Sequence, residues 1–113
     1  MSGITTHVLD IARGRPAAGV PVTLESKGGG GWIVVGRGAT DADGRLRDLA
    51  PSDFVLAEGE YRLTFDAGAY FAAAGAGGFY TEVVVAFVVR DAGVHSHVPL
   101  LLSPYGYTTY RGS

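Results

Sequence analysis

The two imidazoles of His95-Ser96-His97 and the phenol of Tyr110 lie close together in sequence and are of types suited to acid–base chemistry. An imidazole has an ordinary pKa of about 6.5 and exchanges protons near neutral pH. Whether His97 and Tyr110 meet depends on a hairpin. Ser103-Pro104-Tyr105-Gly106 reads as a tight turn, with Pro104 where its fixed φ helps. A two-residue loop of Pro104 and Tyr105 pairs Ser103 with Gly106, sets Pro99 opposite Tyr110 and sets His97 opposite Gly112. Side chains alternate along a strand, so His97, Pro99 and Leu101 then share a face with Thr108, Tyr110 and Gly112. A slip of one residue would part them. Taken singly, each group has a plainer role. His97 is then a half-exposed strand residue, Tyr110 a ring against the core, and His7 a polar strand position. Arg45 becomes a solvated arginine after a turn, and Ser113 a frayed end.

Such groups need rigid strands to hold them, and most of the chain has an apolar period near two. Ile4 to Asp10 is rich in β-branched residues and predicts a first strand. Arg13 to Gly19 is a loop punctuated by glycine and proline. Val20 to Glu25 and Trp32 to Gly36 are strands on either side of Lys27-Gly28-Gly29-Gly30-Gly31, which turns the chain. Asp41-Ala42-Asp43-Gly44 is turn chemistry. It lacks the later acidic ligands of a calcium loop. Arg45 opens a short extended segment, and Tyr61 to Phe65 is a strand. Ala67 to Ala76 is the one helix expected, capped by Asp66 and ended by Gly75 to Gly78. Thr81 to Val89 is dense in valine and predicts a strand buried on much of both faces. His95 to Ser103 and Gly106 to Arg111 complete the set. Short strands at regular spacing with one short helix predict an all-β sandwich of about eight strands.

A chain of 113 residues suits one domain, 1–113, with a core small enough for self-association to help. Hydrophobic residues make up 47%, which excludes a disordered tail. The net charge of -2, with both signs scattered, argues against nucleic acid or an acidic membrane surface as partner. No apolar run is long enough to cross a bilayer, and Met1-Ser2-Gly3-Ile4 has no basic patch followed by an apolar stretch. A cytoplasmic protein is expected. The absence of cysteine removes disulfides, thiolate catalysis and Cys-based zinc sites.

The segment from His95 to Ser113, with His97-Val98-Pro99-Leu100-Leu101-Leu102-Ser103-Pro104-Tyr105-Gly106 and the closing Tyr110-Arg111-Gly112-Ser113, resembles the C-terminal signature of the 5-hydroxyisourate hydrolase family. His7-Val8-Leu9-Asp10 followed by Gly14-Arg15-Pro16-Ala17 is similar to that family's first motif. Thr40-Asp41-Ala42-Asp43-Gly44-Arg45 is similar to its middle one. The three motifs stand in family order and span nearly the whole chain. Transthyretin, a carrier on the same scaffold, is similar in Val8-Leu9-Asp10 and in Leu101 to Tyr105, but lacks the histidines, the arginine and the closing tetrapeptide. Departures fall at Thr81, where proline is usual, at Ser96, where an aromatic is common, and in the small-residue run Ala72 to Gly78.

The resemblance implies a transthyretin-like (prealbumin-like) sandwich. It implies a homotetramer, a dimer of dimers with active sites at the dimer–dimer interface, and a small-molecule substrate, 5-hydroxyisourate, opened by water. The product is 2-oxo-4-hydroxy-4-carboxy-5-ureidoimidazoline, formed in urate degradation. It assigns catalysis to His7, Arg45 and His97 and substrate binding to Tyr110, Arg111, Gly112 and Ser113. The imidazoles would position and deprotonate water, and Arg45 would hold the ring and its oxyanion. Tyr110 would floor the pocket, and the Ser113 hydroxyl or a terminal carboxylate would order water or substrate. Arg45 close by should depress the imidazole pKa values. Three histidines can also hold zinc, but the same arginine would repel a dication, so no metal or other cofactor is expected. The competing functions are a transthyretin-like carrier, against which the bulky Tyr110 argues, and a purely structural sandwich module.

Overall fold

The computed structural model describes residues 3–113. The first strand, β1 (Ile4–Asp10), alternates fully: Ile4, Thr6, Val8 and Asp10 are buried, while Thr5, His7 and Leu9 are half-buried on the other face. It pairs in parallel with β8 (Ser96–Ser103), from Ile4 opposite Ser96 to Asp10 opposite Leu102. β8 turns through Pro104 and Tyr105 into β9 (Gly106–Thr109) with Ser103 opposite Gly106 and Leu100 opposite Thr109. This is the register the sequence predicts. The ladder stops at Thr109 rather than Arg111 and resumes as a single bridge, His97 to Gly112. Two short strands share the other edge of β1. β5 (Arg45–Leu46) pairs with His7 and Thr6. β2 (Arg15–Pro16), where only a loop is expected, pairs with Asp10 and Leu9.

The second sheet runs β4 (Gly31–Ala39), β3 (Pro21–Gly28), β6 (Gly59–Phe65), β7 (Val83–Val89). β3 and β4 outrun their expected limits. Gly29 and Gly30 alone form the hairpin loop, with Gly28 opposite Gly31, so the flanking glycines stay in the ladder. Between the sheets Val8, Leu100 and Leu102 meet Val22, Leu24, Leu63, Phe65 and Val83, all essentially inaccessible to water.

Two further elements differ from expectation. The helix α1 (Ala67–Ala73) is three residues shorter than Ala67 to Ala76. Asp66 caps its start by accepting from the Ala69 N–H at 3.0 Å. The chain leaves helical geometry at Gly75, whose φ of 71° is the left-handed value that ends helices. The valine-rich strand is not buried on both faces. It begins at Val83, lies at the sheet edge, and leaves Val84 and Val88 45% and 48% exposed. Valine favours extended backbone wherever a strand sits, so its density could not tell an edge strand from a central one.

Candidate active site

The outer face of the β5–β1–β8–β9 sheet gathers the groups singled out from sequence. Antiparallel β5 sets Arg45 opposite His7, and parallel β8 sets His7 beside Pro99. One row along, Thr5 lies beside His97, and His97 lies opposite Gly112. Directly opposed side chains across a ladder sit about 5 Å apart at Cβ, so Arg45, His7 and His97 occupy one small area.

A groove of about 1000 Å³ runs over this face. Thr5, Arg45, His95, His97 and Ser113 line it, together with Ile4 and Thr6 from the buried face of β1 and with Pro51, Phe54 and Leu56, which the sequence does not mark. His7 does not line the groove. Its Nε2 lies 2.8 Å from the Asp43 carbonyl oxygen. A carbonyl only accepts, so Nε2 carries a proton and the neutral ring keeps its lone pair on Nδ1. Tyr110 is 55% exposed on this single chain. Arg111 is exposed between Tyr110 and Gly112 and does not line the groove. Gly112 has a steric reason to be glycine, since a Cβ there would come within 2.7 Å of the His97 ring and 3.2 Å of Pro99. Its N–H donates to the His97 carbonyl at 2.8 Å.

The turn before β5 aims Arg45. Asp41 Oδ1 accepts the N–H groups of Asp43 and Arg45, each at 2.9 Å. The Arg45 bond is the main cause holding the Asp41 carboxyl below its usual 3.8, and the positive charges of Arg47 and Arg45 add to it. That carboxylate is engaged with backbone, as a turn residue requires. Gly44 has φ 75°, and a Cβ there would meet the Val8 carbonyl at 2.3 Å. Only glycine lets the turn lie against β1.

The His97 imidazole is held below its usual 6.5, first by burial, then by the positive charge of Arg45, and further by His95 and His7, with Thr5 opposing. The depression expected of an imidazole beside Arg45 is therefore present at His97. Thr5 was missed from sequence. Its hydroxyl lies 2.7 Å from His95 Nε2 and 2.8 Å from His97 Nδ1, and the two rings stand 6.4 Å apart at an interplanar angle of 25°. Thr5 is two residues before His7, so strand alternation alone places it on the site face. Among the described residues no three His, Cys, Asp or Glu side chains converge as a metal site needs.

Residues 4–112 match the HIUase/Transthyretin family. The chain is 50% identical to the 5-hydroxyisourate hydrolase of Caulobacter vibrioides, covering all of both chains. Among solved structures it is similar to Klebsiella pneumoniae 5-hydroxyisourate hydrolase, with a TM-score of 0.85 and 40% identity over the whole of both chains. It is also similar to the transthyretin of Sparus aurata, with a TM-score of 0.91 and 32% identity over 99% of this chain and 97% of that one. The backbone overlays a hydrolase and a transthyretin about equally well, so the side chains on the groove face must distinguish the functions.

Proposed function

The chain belongs to the HIUase/Transthyretin family, and from its 5-hydroxyisourate hydrolase relatives we infer that it is a hydrolase opening 5-hydroxyisourate with water in urate degradation. The observation that carries this reading is the gathering of Arg45, His7 and His97 on one sheet face beside Ser113.

Water adds to a ring carbonyl: one O–H bond breaks, a carbon–oxygen bond forms, and the carbonyl oxygen becomes an oxyanion. His97 takes the proton, since its depressed pKa keeps the imidazole neutral and basic near pH 7. His7, beside the groove of the single chain and with Nε2–H tied to Asp43, keeps a lone pair on Nδ1 with which to orient water at the completed site. Arg45 holds the oxyanion with a planar fork that stays charged. Collapse breaks the carbon–nitrogen bond, and the proton taken from water passes to the departing nitrogen. Tyr110 closes the pocket floor, and Gly112 and Ser113 bring the tail against His97, with Arg111 between them at the rim.

The groove is open in the single chain, and Tyr110 and the β7 edge are exposed. This favours a homotetramer, a dimer of dimers, with each site completed at the dimer–dimer interface. No described helix is long and apolar enough to cross a membrane. The reading takes the enzyme to act in the cytoplasm, where its small polar substrate is dissolved. Generating 5-hydroxyisourate from urate and following its ultraviolet decay tests the assignment. Decay well above the spontaneous rate is expected. Only the spontaneous rate, with folded protein present, would refute it and leave the carrier.

A further inference from the structure

The residue between the two imidazoles in space is Thr5, and its position is unusual for a strand threonine. A hydroxyl has one proton to donate and lone pairs to accept with. Thr5 Oγ touches ring nitrogens of two histidines at once, His95 Nε2 at 2.7 Å and His97 Nδ1 at 2.8 Å. It can donate to only one, so the bond to the other must run the opposite way. The tautomers of the two rings are therefore coupled through one hydroxyl. His95 and His97 both line the groove, but His95 is exposed to solvent and His97 is half-buried.

We propose that Thr5 is a proton-relay residue linking the groove-facing imidazole of His97 to the solvent-exposed imidazole of His95. This rests on the hydrolase reading above. A base facing the groove needs a lone pair on Nε2, so His97 carries its proton on Nδ1 and donates it to Thr5. Thr5 then donates to His95 Nε2, and the neutral His95 keeps its proton on Nδ1. When His97 Nε2 takes a proton from the attacking water, the Nδ1 proton moves to Thr5 Oγ as the hydroxyl proton moves to His95 Nε2. His97 ends neutral with its proton on Nε2, and the positive charge sits on His95 in contact with water. Departure of the ring nitrogen runs the shuttle backwards. Nε2 gives up its proton to nitrogen, and His95 returns one through Thr5 to Nδ1. No net proton is gained or lost.

The charge distribution gives the relay its use. Among the described residues, Arg45, His95 and His7 act on His97, and Arg47 and Asp48 line the same groove. A cation formed on His97 is disfavoured by burial and by Arg45, and one on exposed His95 is better solvated.

The test uses Thr5→Val, which keeps the β-branched shape, Thr5→Ser, which restores a hydroxyl, and His95→Ala. With 5-hydroxyisourate as substrate, Thr5→Val should lower kcat by about tenfold or more with KM little changed. Thr5→Ser should stay within about twofold of the parent. His95→Ala should slow similarly and recover with added imidazole. Nitrogen NMR of the substrate-free protein should show His97 protonated on Nδ1 when neutral, and a shift toward Nε2 in Thr5→Val. Full activity in Thr5→Val or His95→Ala, in a parent that is active, overturns the relay and leaves the hydrolase standing. An inactive parent refutes the hydrolase, and NMR then decides alone on the proposed direction of the chain: Nε2-protonated His97 in the parent reverses it and overturns the relay.

Discussion

At the scale of single residues, His97 sets the pH behaviour. Its folded pKa lies below 6.5, so the neutral base persists on the acid side of neutrality. The midpoint of the acid-side fall in kcat/KM should therefore lie below pH 6.5. The same shift acts on stability. Between its folded value and 6.5 the unfolded chain binds this proton and the folded chain does not, so stability declines as pH drops through that window and is whole above it. His97→Ala should remove this part of the slope in denaturant titrations and lower turnover by about 10²–10⁴. Near-normal turnover would take His97 out of the mechanism. His97 was legible from sequence because the Pro104-Tyr105 turn fixes its partner across the hairpin, and the register is the one found. Thr5 was not, since threonine in a strand needs no further explanation. The Asp43 carbonyl that fixes the His7 tautomer was out of reach, because every residue has one.

At the scale of elements, the short helix is pinned to the site strand by one buried pair. Tyr70 donates to Asp10 Oδ2 at 2.7 Å, and Asp10 Oδ1 accepts the N–H groups of Ala12 and Arg13. Burial, then the hydrogen bond and charge of Asp10, push the Tyr70 phenol up to about 12, so it stays a donor throughout the physiological range. Tyr70→Phe removes the hydrogen bond to Asp10 Oδ2, on a residue only 2% exposed, and leaves that oxygen with the Arg13 Nε 3.9 Å away. A loss of about 1–3 kcal/mol is expected in urea unfolding, with hydrolysis nearly intact because neither residue lines the groove. An unchanged midpoint would show the bond to be idle. The sequence marked both ends of this helix approximately. It overran the far end because alanines tolerate helix and the stop is made by the φ of Gly75, which residue type alone does not distinguish from Gly77 and Gly78. The strand pattern was readable wherever burial alternates, as in β1. It failed in the valine run, where residue type reports backbone preference and leaves the covering layer undecided.

At the scale of the whole molecule, the exposed β7 edge bears on assembly. An uncovered edge with outward valines at Val84 and Val88 is a template for pairing with another chain. Sedimentation should give four times the mass of one chain. Under the assembly proposed above, Val88→Lys, which places a charge on that edge, should lower the mass and the activity per chain. An unaltered mass would separate β7 from the interface. The parallel pairing of β1 with β8 has another effect. Thr5 and His97 are in contact yet 92 positions apart in the polypeptide, and such distant closures are slow to form. During synthesis the early strand must wait, unpaired on that edge, until β8 emerges. Competence to react is therefore acquired last, and turnover doubles as a readout of completed folding that a probe of local secondary structure would miss.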